Sequence, residues 1–142
     1  MFSDSVIDRV LIQAFLETDY RVDAPTAMAL RVGVANPMLA DLHKARRVES
    51  SAFITACNPF SQAFDEMANV ERQETLAREL RQKGLTFFEG IGQHPSNKWP
   101  GGPSFLALAL SLEAAKALGT RHEQNAIIWC GADAVPALVL LR

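Results

Sequence analysis

The chain is short of cysteine, short of tyrosine and short of long apolar runs. Each shortage closes off a class of protein. Two cysteines, Cys57 and Cys130, are too few for a disulfide framework. Each lies in or beside an apolar, strand-like run, which reads as a buried thiol in a reducing compartment. No apolar stretch approaches the roughly 20 residues that span a bilayer. No basic segment leading into an apolar core opens the chain, so no signal peptide and a cytoplasmic location are expected. An excess of one charge sign is also missing. With 14 basic and 16 acidic residues the formal net charge is −2. That balance carries no footprint for nucleic acid or an anionic membrane, apart from a small basic cluster at Lys44, Arg46 and Arg47. The signatures GxSxG, HExxH, paired CxxC, the phosphate loop and the dinucleotide fingerprint are absent. His43, His94 and His122 have no ligand-like spacing, so neither a metal nor a cofactor is expected.

Apolar residues make up 49% of the 142. That is enough for one domain, residues 1–142, with a real core. Val6, Ile7, Val10, Leu11, Ala14 and Phe15 recur at helical spacing and predict an N-terminal helix within residues 1–18. Ala27–Val32 reads as a first strand, with Tyr20–Val22 as a broken extension. Asn36-Pro37 starts a helix, because asparagine caps and proline at the first helical position leaves no amide unsatisfied. Ser51–Ala56 is a second strand, and Asn58-Pro59 repeats the start signal before a long charged helix ended by Gly84. Strands follow at Leu85–Ile91 and Ser104–Leu110, separated by a polar loop over 92–103 that is either functional or mobile. A helix capped by Ser111 and closed by Gly119 comes next. Strands at Asn125–Cys130 and Ala137–Leu141 complete the chain. The expected fold is α+β: a mixed sheet of five or six strands with helices packed on it.

The chemistry available is a set of polar residues at strand ends. Thr55, Cys57, Asn58 and Ser61 flank the second strand. Trp99 lies in the loop, and Ser104 opens the fourth strand. Gln124 and Asn125 open the fifth, and Asp133 follows it. Amides, hydroxyls and an indole suit fixed hydrogen bonds to a polar small molecule. Each also has a structural reading. Asn58 caps a helix, Asp133 makes a turn, Gln124 and Asn125 tie loops to the sheet, and Trp99 anchors its loop. Arg72, one turn after Asn69, is either a surface arginine or a clamp for a carboxylate or phosphate. Cys57, before a helix start, is a candidate nucleophile without a histidine nearby in sequence.

Phe53-Ile54-Thr55-Ala56 with Asn58-Pro59 and Ser61, Asn69 with Arg72, Trp99 with Ser104, Gln124-Asn125-Ala126 and Asp133-Ala134 together resemble a bacterial family of small cytoplasmic domains of unknown function. The resemblance implies no activity. It does imply departures: an acid commonly precedes the asparagine where this chain has Ala68, and acids commonly follow the tryptophan where it has Gly101 and Gly102. Tryptophan is frequent at the position of Cys57. Three functions are therefore expected in order. The first is a binding or regulatory module for a small molecule or a protein partner. The second is a hydrolase or transferase using Asp133 or Glu66 as base. The third is a dimerisation domain using the edge at Leu138–Leu141.

Overall fold

The computed structural model describes residues 5–96 and 102–142. The element order is α1 (Arg9–Glu17), β1 (Asp19–Val22), β2 (Met28–Leu30), α2 (Pro37–Arg46), β3 (Ser51–Ile54), a 3₁₀ turn (Pro59–Ser61), α3 (Glu66–Gln82), β4 (Phe87–Gln93), β5 (Pro103–Leu108), α4 (Leu112–Arg121), β6 (Ala126–Cys130) and β7 (Pro136–Leu140). The fold is α+β. The sheet has seven strands in the order β2-β1-β4-β5-β3-β6-β7, and every ladder is antiparallel. This corrects the expected mixed sheet of five or six strands. The extra strand is β1, which begins immediately after α1 and pairs with β2 on one side and β4 on the other.

The helix starts obey local chemistry. Asp8, Asn36, Asp65 and Ser111 each accept a hydrogen bond from a first-turn amide. Asn36 caps α2 as its sequence predicts, with Pro37 beside it. Two expected signals act differently. Asn58 does not cap α3; Asp65 does, accepting from the Ala68 amide at 2.8 Å. Gly119 does not end α4. It lies inside the helix, where a Cβ would stand 2.6 Å from Leu141 and 2.8 Å from Ile127, so its bare backbone lets α4 settle onto the sheet.

The sheet curls. Just past β2, the Gly33 amide donates to the Pro136 carbonyl at the start of β7 (2.8 Å), and the Asn36 amide donates to the Ala134 carbonyl (3.1 Å). The two ends of the sheet are thereby brought together around α2. Leu39 and Leu42 of α2 join Val22, Leu30, Phe53, Leu106, Leu108 and Ile128 in a core on the inner face. On the outer face Leu76, Ala77 and Leu80 of α3 and Ala115 and Leu118 of α4 pack on Ala52, Ile54, Phe105, Ala107 and Ile127. β3 supplies both cores, and all four of its residues are buried. No helix among the described residues is long and apolar enough to cross a membrane.

Candidate functional site

α1 lies across part of the inner face without filling the space beneath it. The result is a cavity of about 380 Å³. Leu11, Ala14 and Phe15 of α1 form its roof, and Tyr20, Phe53, Ile128 and Leu138 are among its apolar walls. Thr55, Cys57, Asn58, Ser61, Gln124 and Asn125 line it where β3 ends and β6 begins, and His94, Gly102 and Ser104 line it from β4 and β5. Of the residues the sequence singles out, the fold thus gathers Thr55, Asn58, Ser61, Ser104, Gln124 and Asn125 around one space. Asn69, Arg72 and Asp133 do not line it. Trp99 lies outside the described residues, as does part of the 92–103 loop.

The turn after β3 is held against local preference. Asn58, Phe60 and Ser61 have φ of 48°, 52° and 61°, a left-handed conformation that side chains disfavour. Distant partners impose it. Asn69 accepts from the Asn58 amide at 2.8 Å and donates to Asn58 Oδ1 at 2.9 Å. Asn58 Oδ1 also accepts from the Phe64 amide at 3.0 Å, and the Phe60 amide donates to the Glu123 carbonyl at 2.7 Å. Asn69 is thus a support for the turn. Ser61 Oγ accepts from Asn125 Nδ2 at 2.9 Å, and Asn125 Oδ1 in turn accepts from Arg142 at 3.1 Å. Gln124 Nε2 donates to the carbonyls of Cys57 and His122, both at 3.1 Å.

Thr55 Oγ1 donates to the Pro103 carbonyl at 2.6 Å and accepts from the Cys57 amide at 3.0 Å, which stitches β3 to the start of β5. Ser104 Oγ donates to the Gly102 carbonyl at 3.0 Å. A Cβ on Gly102 would stand 2.9 Å from that of Cys57, so the side chain at 57 and the lack of one at 102 fit each other. Burial pushes the Cys57 thiol up, and the Thr55 hydrogen bond and the Arg72 charge only partly counter it. The group is a buried thiol, as the bland sequence reading has it.

Arg72 is not the exposed residue expected from the helix face. Its Nε donates to the Ala56 carbonyl at 2.8 Å and a terminal nitrogen donates to the His122 carbonyl at 3.0 Å. A longer contact reaches Glu123 at 3.4 Å, and the ring of Phe64 lies 6.0 Å away. The guanidinium ties α3 to the ends of β3 and α4. Asp133 accepts from the Val135 amide in the β6–β7 turn, at the opposite end of β6 from Gln124 and Asn125.

Sequence reasoning missed His94 as part of the site. Its Nε2 meets Glu17 Oε1 at 3.0 Å and its Nδ1 meets Ser96 Oγ at 2.7 Å. The contact joins residues 77 apart and fastens the end of α1 to the end of β4. The hydrogen bond from His94 is the main cause of a Glu17 carboxyl held below its ordinary range, with a lesser one from Gln13. A histidine in a polar loop was the only signal in the sequence, and nothing local named its partner.

The sequence profile of a family described as protein of unknown function, DUF3293, matches residues 54–127, just over half of the chain. The chain belongs to the DUF3293 family. No curated protein and no solved structure matches it. The DUF3293 match starts at the last residue of β3 and runs through the strained turn, α3, β4, β5 and α4 into β6. It therefore contains most of the polar residues that line the cavity, from Thr55 to Asn125, but not Thr18 at the end of α1. The roof helix α1, the strands β1, β2 and β7, and α2 fall outside the DUF3293 match.

Proposed function

We propose that this domain is a small-molecule-binding or regulatory module whose ligand occupies the cavity beneath α1. One observation carries the reading: a space of about 380 Å³ has apolar walls and a cluster of neutral polar side chains along one side. Small-molecule sites commonly have that composition and volumes of about 300–1,000 Å³. The reading is favoured over turnover because Asp133 and Glu66, the bases expected for an enzyme, do not line this space. The test is a thermal-shift screen of wild type and Ala14→Leu against a library of small metabolites and apolar amides, acids and alcohols. Ala14 is a buried residue of the roof that lines the cavity, so the three added carbons are directed into it. A ligand at a hundred times its dissociation constant adds about 2.7 kcal/mol of stability. A stabilising hit that is lost in Ala14→Leu supports the reading. A library without hits, with both proteins folded, refutes it.

A second reading rests on β7. It is an edge strand whose Leu138, Val139 and Leu140 are only half-buried, as is Leu141 just past its end. Edge strands of this kind pair with other chains, so a homodimer through β7 is the alternative. Light scattering on Val139→Lys against wild type tests it: a dimer that becomes a monomer supports pairing, and a wild-type monomer at high concentration refutes it.

A further inference from the structure

We infer that the cavity selects an uncharged amphipathic molecule: an apolar body ending in a carboxamide. The inference rests on the cavity being the ligand site and concerns the chemistry of its occupant. The argument begins with charge. Among the described residues histidine is the only cationic residue type lining the space, and His94 is engaged by Glu17 at 3.0 Å and Ser96 at 2.7 Å. The arginines that come near are committed elsewhere. Arg72 holds two backbone carbonyls. Arg142 stacks over Phe60 at 4.3 Å and donates to Asn125. No Asp or Glu lines the cavity among the described residues. Among the described residues a carboxylate, phosphate or ammonium group would find no uncommitted counter-charge, and burying an unpaired charge is far costlier than burying a neutral polar group.

Hydrogen bonding completes the argument. Gln124 spends both amide hydrogens on carbonyls, while its Oε1 has no hydrogen-bond partner among the described residues. Ser61 Oγ accepts from Asn125, which leaves its own hydrogen free to donate. Asn58 commits its Oδ1 to Asn69 and Phe64, while its Nδ2 forms no hydrogen bond among the described residues. At the strained turn, Gln124, Ser61 and Asn58 thus offer an acceptor and two donors on neutral groups. A carboxamide is the complement, with an N–H for Gln124 and a carbonyl for Ser61 or Asn58. The remaining walls, Phe15, Tyr20, Phe53, Ile128 and Leu138, take the apolar body.

The test is calorimetric titration of the full chain at neutral pH with three molecules of one length: octanamide, octanoate and octylamine. Each is repeated with Ala14→Leu and, from the facing wall, Leu138→Phe, with folding checked by circular dichroism. The inference expects octanamide to bind about tenfold or more tighter than either ion, a difference of about 1.4 kcal/mol, and to lose binding in whichever filled variant folds. Equal or tighter binding of octanoate or octylamine, lost in the filled variants, overturns the charge argument and leaves the cavity reading standing. Failure of all three overturns the inference; the cavity reading falls with it only if the broad screen is also empty.

Discussion

Replacing Arg72 tests the arrangement most directly, because the fold gives it a structural role that neither sequence reading, surface arginine or anion clamp, includes. As an exposed helix-face residue, Arg72→Ala would cost within about 0.5 kcal/mol. The fold gives a different figure. The guanidinium makes two charge-assisted bonds to carbonyls, at 2.8 Å to Ala56 and 3.0 Å to His122. Such bonds contribute about 1.5–3 kcal/mol each when well shielded. The two losses are unequal. The His122 carbonyl keeps its bond from Gln124 Nε2, while the Ala56 carbonyl, on a residue with no exposed surface, loses the only side-chain donor described for it. The contact to the half-exposed Glu123 adds little. The Arg72 side chain is itself 26% exposed, which trims the total. Arg72→Ala is therefore expected to cost about 2–4 kcal/mol, or roughly 7–13 °C in Tm for a domain of this size. Arg72→Lys should recover no more than about half, because a single ammonium does not fork between two carbonyls. Urea denaturation followed by circular dichroism measures both. A loss under about 0.5 kcal/mol for Arg72→Ala would refute the tie and return Arg72 to the surface.

Leu106→Ala is expected to cost about 2–5 kcal/mol by denaturant titration, since Leu106 is fully buried in β5 between neighbouring strands. Asn69→Ala should destabilise by about 1–3 kcal/mol, and proteolysis in the native state should then cut near residues 58–62, because the turn loses two of its fixed bonds. Burial raises the Glu79 carboxyl, but hydrogen bonds from His122 and Arg121 outweigh it and hold the group below its ordinary range. A carboxyl depressed in the folded state stabilises above its unfolded pKa, about 4.3, and that contribution is lost as pH falls through the lower folded value. Glu79→Gln should accordingly flatten the acid limb of the stability profile, and an unchanged acid limb would refute this. Burial pushes the Cys130 thiol up to about 12, and Cys57 is also raised, so a disulfide reagent at mildly alkaline pH should modify both only on unfolding.

Much of the element order is legible because it is written locally. Asn36-Pro37 and Ser111 start helices where their own side chains reach the first-turn amides, and β3, β5 and β6 announce themselves as apolar runs. β1 is not legible. Its four residues, DYRV, carry two charges and become a strand only because β2 and β4 pair on both sides. Asn58 misleads for a related reason. The Asn-Pro pair is a start signal, but Asn69 captures the side chain from eleven residues away and turns the backbone left-handed. Six of the polar site residues were legible as strand-end groups, since β3 and β6 are neighbours and their ends coincide. The cavity itself was not. Helical spacing in α1 reports that one face is buried, and it does not report that the buried face spans a gap. Nor does it name His94 as the fastening on Glu17.

The strand order also sets the route by which the chain can fold. β1 with β2, β4 with β5, and β6 with β7 are three hairpins, each closed by a local connection. β3 alone belongs to none of them. It slots between β5 and β6, both distant in sequence, and without it the hairpin at the end of the sheet has no partner. Hairpins form in microseconds, whereas joining segments far apart must first overcome the entropy of closing long loops. Capture of β3, like the pairing of β1 with β4, is thus a long-range step on which the assembled sheet depends. Substitutions there should slow refolding, while those within the hairpins mainly speed unfolding. The stretch that leads into the polar side of the cavity is also the strand that joins the hairpin at the end of the sheet to the rest.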